Sequence, residues 1–215
     1  MKPFETIEVS SEEALTTFDE LLKKYAETLK YPFIIGDQQD FERFMDIIEP
    51  PADRGTEFIS MAMELDVQEW FKEKNLKKPK ALAKEVQPQD GWATMTNLLT
   101  GELKPKILIG LIEIAKPWHI FAKLGFGYWN DCPEPHVHVA LHQYWNEKFG
   151  TIPVVVSNDV VECSVPKPPT DTPAVLTLAG EQYVYCYDLV EQGYGSKSKL
   201  AASLVGARVW YFWWD

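Results

Sequence analysis

Three of the four histidines and one of the three cysteines fall in a single stretch, GYWNDCPEPHVHVALHQYW, residues 127–145. Cys132, with His136 one turn further on and Asp131 beside it, could form a nucleophilic thiol and its base, because a helix N-terminus favours a thiolate. His138 and His142, at i and i+4, have the spacing by which two imidazoles share a metal. Each has a plainer reading. A thiol followed by Pro133 and Pro135 can simply be buried, and Asp131 with Glu134 reads as a capping pair whose negative charge raises a thiol pKa. H-V-A-L-H lacks the glutamate of the H-E-x-x-H protease motif, and a zinc site needs at least one more ligand.

A helical wheel sharpens the choice. With Val137 at zero, Ala140, Leu141 and Tyr144 fall within about 60° and form the core face. His138 and His142 lie at about 100° and 140°, on the flank with Trp145, where partly exposed packing is expected. His136 falls about 160° from His138, so the three histidines cannot converge from one helix. No metal and no cofactor is expected.

A second group lies in LTLAGEQYVYCYDLVEQGYG, residues 176–195. Val175, Ala179, Cys186 and Val190 define an apolar face that includes Gln182, whose amide must then bond to backbone or line a cavity. Glu181, Tyr185, Asp188 and Gln192 form a separate stripe that could do acid/base work, although a solvated helix face looks the same and is preferred. The closing VWYFWWD alternates Trp210, Phe212 and Trp214 on one side with Tyr211 and Trp213 on the other. So much aromatic area predicts a central strand covered on both faces, with an aromatic platform bordered by Trp213 as the alternative.

The elements that must position these residues can be read from caps and periodicity. Ser10 with Glu13 opens a helix through Leu15, Phe18, Leu22, Tyr25 and Leu29 that Pro32 ends. YPFIIG reads as a short buried strand, Asp37 caps a helix carrying Phe41, Phe44, Met45 and Ile48, and EPPADRG breaks it. Residues 56–75 form one helix or two meeting at Leu65–Asp66. A polar, proline-bearing connection follows, separating a mainly helical region, 1–90, from an α+β domain, 91–215. There KILIGLIEI suits a strand buried on both faces, followed by a loop to about residue 133 and the histidine helix to Phe149. IPVVVSNDVVECSV reads as a hairpin turning at Ser157–Asp159, then a long helix ends at Gly193 and a short one near Gly206 before the last strand. The order β-α-β-β-α-β suits a mixed or antiparallel sheet covered on one face by helices, as in ferredoxin-like folds.

Composition bounds the partners. A net charge of -11 argues against binding to nucleic acid and leaves a basic protein or a small ligand as the expected partner. The opening MKPFETIEVSSEEALTTF has no signal-type apolar run, no segment approaches the ~20 apolar residues of a membrane span, and the odd number of cysteines suits free thiols. A cytoplasmic protein without membrane association is expected.

GYWNDCPEP, a helix bearing YW, the VPKPP exit, EQYVYCYDLVEQGYG and the closing VWYFWWD together resemble the bacterial domain-of-unknown-function family numbered 4253, over roughly residues 107–215. YPFIIGDQQDFERF is similar to a segment often found upstream in such proteins. The resemblance implies an autonomous C-terminal domain and carries no activity, substrate or cofactor. Where family members often have CPD, this chain has Cys186-Tyr187-Asp188 and lacks that proline.

The functional expectation is a non-catalytic binding module, for instance an immunity-type protein for a basic toxin. Its candidate contacts are Trp118, Tyr128, Trp129, Asn130, Glu181, Gln182, Asp188, Gln192 and Trp213. The alternative is a hydrolase using Cys132 with His136 and Asp131, or a metal held by His138 and His142.

Overall fold

The structure, a computed structural model, describes residues 4–48, 54–84, 86, 88, 91–97 and 99–215. The proline break expected at 49–53 and part of the connection at 85–90 lie outside the described residues. The chain is an α+β protein. Its strands are β1 (Glu5–Val9), β2 (Lys30–Gly36), β3 (Ile107–Glu113), β4 (Ile152–Val156), β5 (Val160–Ser164) and β6 (Val209–Trp213). They form one open sheet in the order β1-β3-β2-β4-β5-β6, antiparallel throughout except for the parallel pair β2 and β4.

Strand β3 alternates between two cores. Ile107, Ile109 and Leu111 face α1 (Ser11–Lys24), while Leu108 and Ile112 face the opposite side. That opposite side carries α2 (Gln38–Ile47), α3 (Arg54–Glu64), α4 (Val67–Glu73), α5 (His119–Leu124), α6 (Pro135–Phe149), α7 (Thr172–Tyr185) and α8 (Lys197–Leu204). Helices therefore cover both faces, with α1 on the face expected to be bare. The order is not ferredoxin-like either, because β2, from outside the C-terminal run, fills the place between β3 and β4. Strands from both sides of residue 90 share this sheet.

Local signals set most boundaries. Ser10 Oγ accepts from the Glu13 N–H and donates to its carboxylate, Asp37 and Asp40 form a reciprocal capping box, and Asp66 caps α4, dividing residues 54–73 into two helices. Three expectations fail. Helix α1 ends at Lys24, well before Pro32, which lies within β2, and Leu29 is exposed. The loop before the histidine helix contains α5. The helix expected to reach Gly193 stops at Tyr185 and is followed by a π-helix, Leu189–Tyr194.

Among the described residues strand β6 pairs only with β5, so it is an edge strand and not a central one. Trp210, Phe212 and Trp214 are buried on one face, as the alternation predicts. The Cys186 thiol donates to the Trp213 carbonyl at 2.9 Å, and the π-helix borders Tyr211 and Trp213, which shields part of the edge.

Candidate functional site

Pro135 at the first turn of α6, preceded by Glu134 as N-cap, fixes where the histidine helix begins. Glu134 makes no side-chain cap bond, and Asp131 instead accepts from the Tyr187 hydroxyl at 3.1 Å, so the two carboxylates do not form the expected capping pair. The approach to the helix is tight. Gly127 has φ of 120°, and a Cβ there would lie 2.0 Å from the Pro133 carbonyl oxygen, while Tyr128 and Asn130 also adopt positive φ. The Asn130 amide ties this turn to the Asp215 carbonyl.

His138 and His142 are fully buried, not partly exposed on a flank. Phe121 of α5 and Tyr185 of α7 both pack on the histidine flank of α6, and α3 packs on the helix as well, so its buried side chains extend beyond one face. Phe121 lies over both imidazoles, at centroid distances of 5.1 and 4.5 Å. Both rings converge on the Tyr185 hydroxyl, His138 Nδ1 at 2.6 Å and His142 Nε2 at 2.9 Å. Cys132 Sγ lies 3.5 Å from His138 Nε2, and Cys163 Sγ lies 3.7 Å from His142 Nδ1.

The result is a buried chain, Cys132–His138–Tyr185–His142–Cys163. The Tyr185 hydroxyl carries one proton, so with both imidazoles neutral it donates to one ring and accepts from an N–H of the other. Donation to His138 Nδ1 places that ring's proton on Nε2, toward Cys132, and leaves His142 Nδ1 as a lone pair beside the Cys163 thiol; donation to His142 Nε2 reverses both.

Burial sets the charge state of every member. Desolvation holds His138 well below its ordinary pKa, with neighbouring His142 adding to the effect, and brings His142 down to about 3. Desolvation, then the nearby Cys186, raises the Cys132 thiol pKa, and that of Cys163 rises by burial and then Glu162. Tyr185 stays a neutral phenol for the same first reason.

Cys132 also lines a cleft of about 610 Å³ together with Trp70, Lys74, Asp131, Glu134, His136 and Tyr187. The sulfur thus meets His138 rather than the expected His136, whose Nδ1 lies 3.3 Å from Glu134 Oε2. The metal candidates His138 and His142 are joined through a phenol, and no group of three or more ligating side chains is assembled among the described residues. Asn130 and Asp131 border the cleft. Trp118 and Trp129 are half-buried, and exposed Tyr128 packs its ring against Phe58 at 6.2 Å.

Of the stripe expected to be solvated, Glu181, Tyr185 and Asp188 are buried, whereas Gln192, in the π-helix beyond α7, is exposed. Glu181 is buried and accepts from Tyr144 Oη at 2.7 Å and Trp145 Nε1 at 3.0 Å, with Lys148 Nζ 3.7 Å away. Gln182 is buried too, and its Nε2 has no hydrogen-bond partner among the described residues. Asp188, Gln192 and Trp213 come together around a second pocket of about 300 Å³ with Tyr194 and Tyr211. The sequence reading missed Trp70 and Lys74 in the cleft wall and Cys163 in the chain, and it placed Tyr185 in the α7 stripe without joining it to the histidines. Tyr185 carried one available signal, since a tyrosine beside an apolar helix face needs a partner for its hydroxyl.

An open mixed sheet with helices on both faces, enclosing a neutral Cys–His–Tyr–His–Cys chain, defines an α+β protein whose most reactive groups are internal. The chain belongs to the family described as Domain of unknown function (DUF4253), whose model matches residues 108–215, from β3 to Asp215. No curated protein matches it, and no solved structure does. No helix among the described residues is long and apolar enough to cross a membrane.

Proposed function

We propose that this protein is a non-catalytic binding module whose cleft receives a basic segment of a protein partner. One observation carries the reading: His138, the imidazole beside Cys132, is fully buried and held neutral by desolvation, so no imidazolium is there to stabilise a thiolate. Burial keeps that thiol protonated, the opposite of what nucleophilic cysteines require. The cleft wall carries Asp131 and Glu134 against Lys74 alone, and the net charge of -11 adds attraction at longer range. An immunity-type inhibitor of a basic toxin would work in this way.

The second reading, a Cys132 hydrolase with His138 as base, is favoured by the 3.5 Å contact at the cleft wall. Calorimetric titration with lysine- and arginine-rich peptides, and with glutamate-rich peptides of equal length, separates the two. Saturable, salt-sensitive binding of the basic set is expected, weakened about tenfold in Asp131→Asn/Glu134→Gln and unchanged in Cys132→Ala. Equal binding of both sets would contradict the proposal, as would ester or amide turnover abolished by Cys132→Ala.

A further inference from the structure

We propose that the pocket between the π-helix and β6 binds an alkylated ammonium group. Its walls are three aromatic rings, Tyr194, Tyr211 and Trp213, with the carboxylate of Asp188 beside them. Tyr211 and Trp213 stand at i and i+2 on the outer face of an edge strand, so their side chains emerge side by side, about 7 Å apart along the strand. Tyr194, at the end of the π-helix, closes the third side. All three rings are half-buried, which leaves aromatic surface open to an occupant.

Charge selects the occupant. Asp188 is buried and pairs with no cation among the described residues; Gln192 Nε2 at 2.8 Å and the Asp215 N–H at 3.3 Å fix its carboxylate without neutralising it. Trp213 Nε1 donates to Asp159 at 3.1 Å, and Tyr211 lies opposite Glu162 in the sheet register, so both rings sit against carboxylates. Among the described residues no lysine or arginine lines this pocket; Lys104 and Arg43 line a neighbouring cavity that shares Tyr211 and Trp213, where Lys104 is engaged by Asp40 and Asp37. Electron-rich faces in a mostly apolar pocket with an uncompensated carboxylate suit a cation that sheds water easily, which an alkylated ammonium does and a bare ammonium does not. The carboxyl Asp188 and the rings are sequence-distant from the cleft carboxylates, and the proposal does not depend on the binding mode there.

Calorimetry on the full chain with choline, tetramethylammonium and 3,3-dimethylbutanol, the neutral isostere of choline, tests it, with the Trp213 indole NMR signal as the site report. Both cations should bind saturably and choline about tenfold more tightly than the isostere. Tyr194→Leu and Asp188→Asn should each weaken choline by about tenfold while the thermal transition persists, which keeps the test valid if Trp213→Leu fails to fold. A trimethyl-lysine peptide binding more tightly than choline would mark a protein side chain as the source, and the reverse a free small ammonium. Equal affinity for the isostere, or no indole shift with about 100 mM choline, would overturn the proposal.

Discussion

His138 and His142 share one hydroxyl: the Tyr185 Oη lies 2.6 Å from the first imidazole and 2.9 Å from the second. A single phenol thereby satisfies two buried rings on a neighbouring helix. Tyr185→Phe removes both bonds and leaves a buried donor and a buried acceptor without partners. Urea denaturation should show a loss of about 2–4 kcal/mol, against about 1 kcal/mol for removing an ordinary hydrogen bond.

Acid should destabilise the fold through the same pair. Both histidines have folded pKa values below the ordinary 6.5, so as pH falls the unfolded chain takes up protons that the folded chain refuses. The stability that His142 confers is complete above pH 6.5 and is lost between there and about 3, where it titrates in the fold; His138 acts in the same direction. Well below 6.5 each should cost about 1.4 kcal/mol per pH unit. Denaturation midpoints from pH 7 to 4.5 check this, and His142→Gln should reduce the slope.

Glu181 anchors α6 to α7 by accepting from two aromatic donors. Glu181→Ala should cost about 3 kcal/mol, because it strands Trp145 Nε1 in the core, whereas Lys148→Met should cost less than about 1 kcal/mol, since that amine is largely exposed. Equal effects of the two substitutions would show that the ion pair, not the hydrogen-bonded carboxylate, carries the contact.

Gly127 backs onto the carbonyl of Pro133, the residue after Cys132. Gly127→Ala places a methyl group against the Pro133 carbonyl at a strained φ, so the turn must move. The expected result is a loss of about 2–4 kcal/mol, together with faster alkylation of Cys132 in the native protein.

Much of this architecture could be read locally. The caps at Ser10, Asp37 and Asp66, the doubly buried β3 and the β4–β5 turn depend on neighbours in sequence, and the structure has them. The site was not legible in the same way. A helical wheel assumes one core face, but the buried side chains of α6 extend beyond one face, so the flank positions of His138 and His142 became interior. Glu181 resembled a solvated carboxylate until Tyr144 and Trp145, 37 and 36 residues earlier, supplied donors. The edge position of β6 and the placement of β2 inside the sheet depend on pairing across long separations, which no local pattern encodes.

The neutrality and polarity of the buried chain can be read from the imidazole nitrogens by ¹⁵N NMR across a pH titration. His138 and His142 should each appear as a single neutral tautomer, one donating to the Tyr185 hydroxyl and the other accepting from it, and His142 should remain uncharged down to about pH 4. Titration of His138 near pH 6–7, coupled to loss of the Cys132 proton, would contradict a binding role for this site and make it a thiolate–imidazolium pair.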